Sequence, residues 1–346
     1  MPRASLASMV ASSAVLLAAC GGLTDQSSSR ESPGGDVTAP EGSTGAASGS
    51  GQPAAKAERV AGDVGVPSAI AVASDRVLFT TSKTKLHGEL RDAAGLFVVH
   101  KRLGPALLVA MDDKGARFDA LAVDAEHAYV ATSDARLIRV PLAGGAETPI
   151  AELPAPAVAI APAGNHVYFA TATGVIERAP VDGVGAIEPV ATVAGRPRAI
   201  AVDDQGAVYV ATSMESEGGS IVKVASEGGE PTVLGTSAAS PCAMTRAGHE
   251  LFFTAESAVH RLLVEGGPPA TVAAGASSAC AIATDGADLW FAGGAGLMRA
   301  PAAGGQPIAV PAASKALATP GTVAVDASHV YWLEGTAVLR LAKPLR

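Results

Sequence analysis

The sequence is poor in the residues that most often carry chemistry. Only 3 of its 346 residues are Cys, which excludes a disulfide-dense scaffold. Aromatic residues make up 4%, so any core must be built from small aliphatic side chains, chiefly Ala and Val. Charged residues reach only 17%, and Lys and Arg form no clusters. With a net charge of −8, that excludes a nucleic-acid partner, because phosphate recognition needs grouped cations. HExxH, paired CxxC, GxSxG, Walker A and calcium-loop patterns are all missing, so no metal, cofactor or catalytic residue is expected. What is abundant is just as selective. A 48% hydrophobic content excludes a disordered chain, and 39 Gly with 23 Pro exclude a helical bundle.

The one long apolar run, Leu6 to Ala19, follows Arg3 and is too short to span a bilayer as a stable helix. It ends in Leu17-Ala18-Ala19-Cys20. That ending resembles the lipobox of bacterial lipoproteins, which implies a signal peptide at 1–19 and a diacylated Cys20. An ordinary secretory signal whose Cys happens to follow two alanines is the other reading. Three acyl chains would anchor the protein stably, since two already suffice. Gly21, where an Asp would imply retention at the inner membrane, points to the outer membrane of a bacterial cell envelope, facing periplasm or exterior. Residues 20–56 are Gly, Ser, Ala, Thr and Pro with no apolar period, which reads as a flexible tether.

Residues 57–346 repeat one unit seven times. The copies run SAIAVASDRVLFTT (68–81), DALAVDAEHAYVAT (119–132), VAIAPAGNHVYFAT (158–171), RAIAVDDQGAVYVAT (198–212), CAMTRAGHELFFTA (242–255), CAIATDGADLWFAG (280–293) and GTVAVDASHVYWLE (321–334). Each is followed by a third alternating run, and copies two to six then by a Gly-Gly or Asp-Gly turn and a fourth run. Four short strands repeated at about 41 residues predict an all-β, seven-bladed β-propeller of four-stranded blades. The last copy stops after its third strand, and Ala57 to Gly62 reads as an orphan fourth strand. Pairing that orphan into the last blade would close the ring and remove two sheet edges.

The segment GRPRAIAVDDQGAVYVAT (195–212) resembles an NHL-type repeat, and Val330-Tyr331-Trp332 is similar to the YWTD repeats. The resemblance spans the whole repeated body and implies architecture; function has to come from a site.

Repetition separates structural residues from functional ones. Asp124, Asp203, Asp285 and Asp326 recur after the inner strand and read as turn residues. Arg139, Arg178, Lys223, Arg261, Arg299 and Arg340 recur on the third strand, which predicts an outward or inter-blade structural role. His127, His166 and His329 share one slot, whole blades apart, and do not read as a metal cluster. The copies differ in a ring at the mouth of the channel: Ser68, Asp119, Val158, Arg198, Cys242, Cys280 and Gly321. Cys242 and Cys280 occupy that slot in adjacent blades and are candidates for a disulfide, the alternative being two buried thiols. Asp119 and Arg198 are candidate ligand contacts at the channel mouth, or else a solvated ion pair. Insertions at 82–94 and 213–219 are expected on the same face, where binding loops usually lie.

The resulting expectation is a membrane-tethered, non-catalytic binding module with a protein, peptide or glycan partner. The alternatives are an envelope-assembly scaffold, similar in architecture to the lipoprotein propeller of outer-membrane barrel assembly, and a metal-dependent hydrolase of the lactonase-propeller type.

Overall fold

A computed structural model of the protein describes residues 56–344, apart from 113, 215–217, 314–318 and 320. The signal segment, Cys20 and the tether to residue 55 lie outside the described residues. Strands follow one another through short turns, and every neighbouring pair within a sheet is antiparallel. Seven sheets result. Blade one comprises Gly65–Ala73, Arg76–Leu86, Ala94–His100 and Leu107–Asp112, with Glu89–Arg91 added beside its second strand. Blade two begins at Phe118–Val123, blade three at Ala157–Ala163 and blade four at Arg196–Val202. The inner strands of blades five, six and seven are Ala243–Ala247, Ala281–Thr284 and Val323–Val325.

Blade seven is completed by the other end of the chain. Glu58–Gly62 pairs antiparallel with Ala337–Ala342, and Glu58 faces Arg340 across the ladder. The two side chains form an ion pair at 2.6 Å. Inner strands also meet across the seam, where the Ile70 N–H donates to the Gly321 carbonyl at 2.8 Å. The closed seven-bladed architecture is therefore the one the repeats predict.

The scarcity of aromatics is resolved by position. Tyr129, Tyr209, Phe252, Trp290 and Tyr331 all occupy the same repeated slot on a second strand and are fully buried between blades. Toward the axis, Ala69, Ala120, Ala159, Ala199, Ala243 and Ala281 are buried as well, because converging strands leave room only for a methyl group.

Inner strands begin and second strands end on one face of the disc, here called the upper face; the opposite ends form the lower face. The lower face carries the repeated hardware. Asp124 accepts the Glu126 and His127 amides on Oδ1 and the Tyr129 hydroxyl on Oδ2 at 2.6 Å. Asp203 with Tyr209 and Asp326 with Tyr331 repeat this clamp. Three of the third-strand arginines reach the next blade: Arg139 donates to the Val181 carbonyl at 2.7 Å, Arg178 to that of Ser226 at 3.1 Å, and Arg340 to that of Lys101. Glycine turns dock on the preceding blade in the same manner. The Gly229, Gly267 and Gly305 amides donate to Val190, Leu234 and Val272 at 3.0–3.1 Å. At Gly228, φ is +83° and an added Cβ would lie 2.6 Å from the Val190 oxygen, so no side chain fits there.

Candidate functional site

The residues at the channel mouth are set apart by a backbone irregularity. In blades one to four the pairing of inner and second strands skips one residue, between Pro67 and Ala69, Phe118 and Ala120, Ala157 and Ala159, and Pro197 and Ala199. The skipped residues are Ser68, Asp119, Val158 and Arg198. Each is thus a β-bulge, released from the ladder and re-aimed relative to its neighbours. In blades five to seven the equivalent Cys242, Cys280 and Gly321 fall just ahead of the inner strand.

A second repeated device fastens the upper turns of blades one to four. Thr81, Thr132, Thr171 and Thr212 are buried at the equivalent point of the second strand, and their hydroxyls bond to Thr84, the Arg136 amide, Thr173 and Ser220 respectively. Blades five, six and seven carry Ala255, Gly293 and Glu334 at that point. The sequence alignment of the copies displays this substitution plainly, although its meaning needs the hydrogen bonds.

A cavity of about 320 Å³ opens where the pattern changes. It is lined by Arg198 from blade four, Ser240 to Cys242 and Thr254 to Ser257 from blade five, and Ala276 with Ser278 to Cys280 on the approach to blade six. Cys242 and Cys280 are joined by a disulfide with Cα atoms 5.0 Å apart. Three lining residues other than Gly have left-handed backbone: Glu256 at φ 55°, Ser257 at 61° and Ser278 at 55°. Such residues cost of order 1–3 kcal/mol each and cluster at functional sites. Glu256 Oε1 accepts the Ala239 amide at 3.2 Å, which ties the turn to the linker from blade four.

Arg198, Cys242 and Cys280 therefore share one cavity, whereas Asp119 lies elsewhere on the ring. Its carboxylate sits 3.3 Å from Arg117 Nε; burial raises its pKa, and Arg117 only partly offsets this. The insertion of blade one is an upright hairpin, with Arg76–Leu86 continuing into a His87-Gly88 turn and returning through Glu89–Arg91. Of the insertion in blade four, residues 215–217 lie outside the described set. Among the described residues no group of three or more His, Cys, Asp and Glu could hold a metal ion, and no helix is long and apolar enough to cross a membrane.

No protein-family model matches the chain, and no curated protein matches it. Solved structures do. A catalytically inactive variant of virginiamycin B lyase from Staphylococcus aureus with quinupristin is similar at a TM-score of 0.65 and 17% identity, covering 84% of this chain and 99% of its own. YCF48 bound to D1 peptide is similar at 0.59 and 13%, over 85% and 98%. The computationally designed protein Ika8 is similar at 0.58 and 13%, over 82% and 98%. What is shared is the propeller. Because a lyase, a peptide-bound protein and a designed protein share it, the likeness shows the fold and leaves the activity to the site.

Proposed function

We propose that the chain is a lipid-anchored protein of the bacterial envelope whose propeller binds a peptide or protein partner on its upper face. One observation carries the binding role. The threonine device of the upper face stops after blade four, and there a cavity opens whose walls hold three residues in left-handed backbone. A peptide suits this cavity better than a glycan, because no aromatic side chain is among the described residues that line it. The fold relative that carries a D1 peptide supports the same reading by analogy. The anchor rests on the Leu17-to-Cys20 resemblance.

The test is site-specific photo-crosslinking in the producing cell. A photoreactive residue at Ser240 or Leu90, both on the upper face, is expected to yield a discrete adduct that one at Glu126 on the lower face does not. Equal labelling from both faces, or none from the upper one, would overturn the reading.

A further inference from the structure

One blade boundary is built without the hardware of the others. In blades two to seven an aromatic residue on the second strand faces a cation on the third: Tyr129 and Arg139, Tyr168 and Arg178, Tyr209 and Lys223, Phe252 and Arg261, Trp290 and Arg299, Tyr331 and Arg340. In blade one the same pair is Leu78 and Val98. Both belong to the buried cluster that joins blades one and two and that includes Leu142. Leu142 occupies in blade two the position of Lys101 in blade one, Val181 in blade three and Ser226 in blade four. Those three residues supply the carbonyls that accept from Arg340, Arg139 and Arg178 of the preceding blade. The Leu142 carbonyl is met instead by Arg76, whose Nε lies 3.4 Å away, a long hydrogen bond.

A cavity of about 440 Å³ opens at this boundary on the lower face. Pro141 and Leu142 give it an apolar wall; Asp75 and Arg76 line it from blade one, Glu126 and His127 from blade two. Its charges do not cancel. Arg76 is taken by Asp75 at 3.3 Å, and His100 reaches the same carboxylate oxygen at 2.8 Å. Glu126 is exposed, and among the described residues no cation pairs with it. The lining therefore offers a carboxylate, a carbonyl whose second lone pair can accept, and an apolar surface along which an alkyl stem can lie.

The other blades show what suits such a place, because each supplies a cation on an alkyl stem from its own third strand. We propose that this cavity binds a small amphipathic cation, an alkylguanidinium or alkylammonium, in place of the side chain that Val98 does not provide. Glu126 accepts from the cationic head, the Leu142 carbonyl takes a further N–H, and the stem packs on Pro141 and Leu142. The volume lies within the range of ligand cavities, roughly 300–1,000 Å³. It is more than one arginine side chain fills, which favours a whole small molecule over a basic residue of a protein partner. The site is on the face opposite the cavity beside the disulfide and is independent of the peptide-binding reading.

The probe is n-butylguanidinium, compared with n-butylurea, which has a similar shape without the charge. Each is titrated into the full chain while the amide resonances of Ser74, Glu126 and Ala143 are followed by NMR. The cation is expected to bind about tenfold tighter or more, since its hydrogen bonds are charge-assisted. Val98→Arg should abolish that binding by supplying the cation from within, with a melting temperature that holds or rises. If this variant does not fold, Glu126→Gln, at an exposed position, decides the matter and should weaken the cation severalfold. Equal affinity for cation and urea, shifts spread over the acidic surface, or binding unchanged in folded variants would overturn the assignment. N-acetyl-arginine N-methylamide presents the same head as part of a peptide and is expected to bind more weakly than butylguanidinium. The reverse order would overturn the free small molecule as occupant. A free cation forms no protein adduct, so this proposal and the crosslinking test of the upper face fail separately.

Discussion

At the scale of single residues, the same arginine does different work in different blades. Arg139 gives a hydrogen bond to a buried boundary with the next blade, whereas Arg261 turns back to Glu250 of its own blade at 3.2 Å. Arg139→Ala is therefore expected to lower unfolding free energy in urea by about 1.5–3 kcal/mol, the range for a hydrogen bond from a charged donor. Arg261→Ala, which breaks a pair about one-third exposed at each end, should cost less than about 1 kcal/mol.

Acid sensitivity is also set by particular carboxylates. Burial alone would raise the pKa of Asp326, but Lys101 and the Ser328 and His329 amides outweigh it and pull the pKa well below the usual carboxylate range. Lys343 and two amides overcome burial at Asp285 in the same direction. A depressed folded-state pKa means that the stabilisation is complete above the unfolded value, near pH 4, and is lost as pH falls below it. Melting temperature should accordingly drop between about pH 4 and pH 2, and Asp326→Asn should flatten that drop. The recurrence of these residues was legible in the sequence, because seven copies display which positions repeat. Their donors were not, since Lys101 and Lys343 come from the neighbouring blade and leave no sequence signature.

At the scale of elements, Glu58–Gly62 is a fourth strand donated from a distance. Val60 is buried in the core cluster it shares with Val338 and Tyr331. Deleting residues 58–62 should unfold blade seven and expose a sheet edge, giving aggregation and a lowered melting temperature. Replacing only the hairpin tip, residues 86–89, with a two-residue turn should leave the melting temperature within about 2 °C, because the return strand Glu89–Arg91 is exposed throughout and the buried Thr84 and Ala93 are kept. The missing fourth strand of the last copy was readable from simple counting. The bulges at Asp119 and Arg198 were not. A skipped partner shifts the ladder by one residue, and alternation of Ala and Val reads the same on either side of it.

At the scale of the whole molecule, the ring depends on seven boundaries, and they are not fastened alike. Blade seven meets blade one through Lys101 and Asp326 at 2.8 Å and meets blade six through Lys343 and Asp285. Blades five and six are bridged covalently through Cys242 and Cys280, 38 residues apart. Reduction, or Cys242→Ala with Cys280→Ala, should lower unfolding free energy by about 2–4 kcal/mol, measured as a shift in denaturation midpoint. The partners in this bond could be named from two equivalent slots, but the cavity beside it could not, because its walls come from three stretches that only folding brings together. Cys20→Ala should move the full chain from the membrane pellet to the soluble fraction, which tests the anchor independently of the propeller.

The pairing of Glu58 with Arg340 spans 282 residues of chain, and it bears on the order of events during synthesis. Six blades can form as they emerge, but the seventh lacks its outer strand's partner until Ala337 to Ala342 has been made. The strand nearest the start of the chain must therefore wait, unpaired, through nearly the whole of translation. Closure becomes the last step and the one that locks the rest. A nascent chain held in this open state is slower to complete its fold, because the final contact must be found across the longest separation in the molecule.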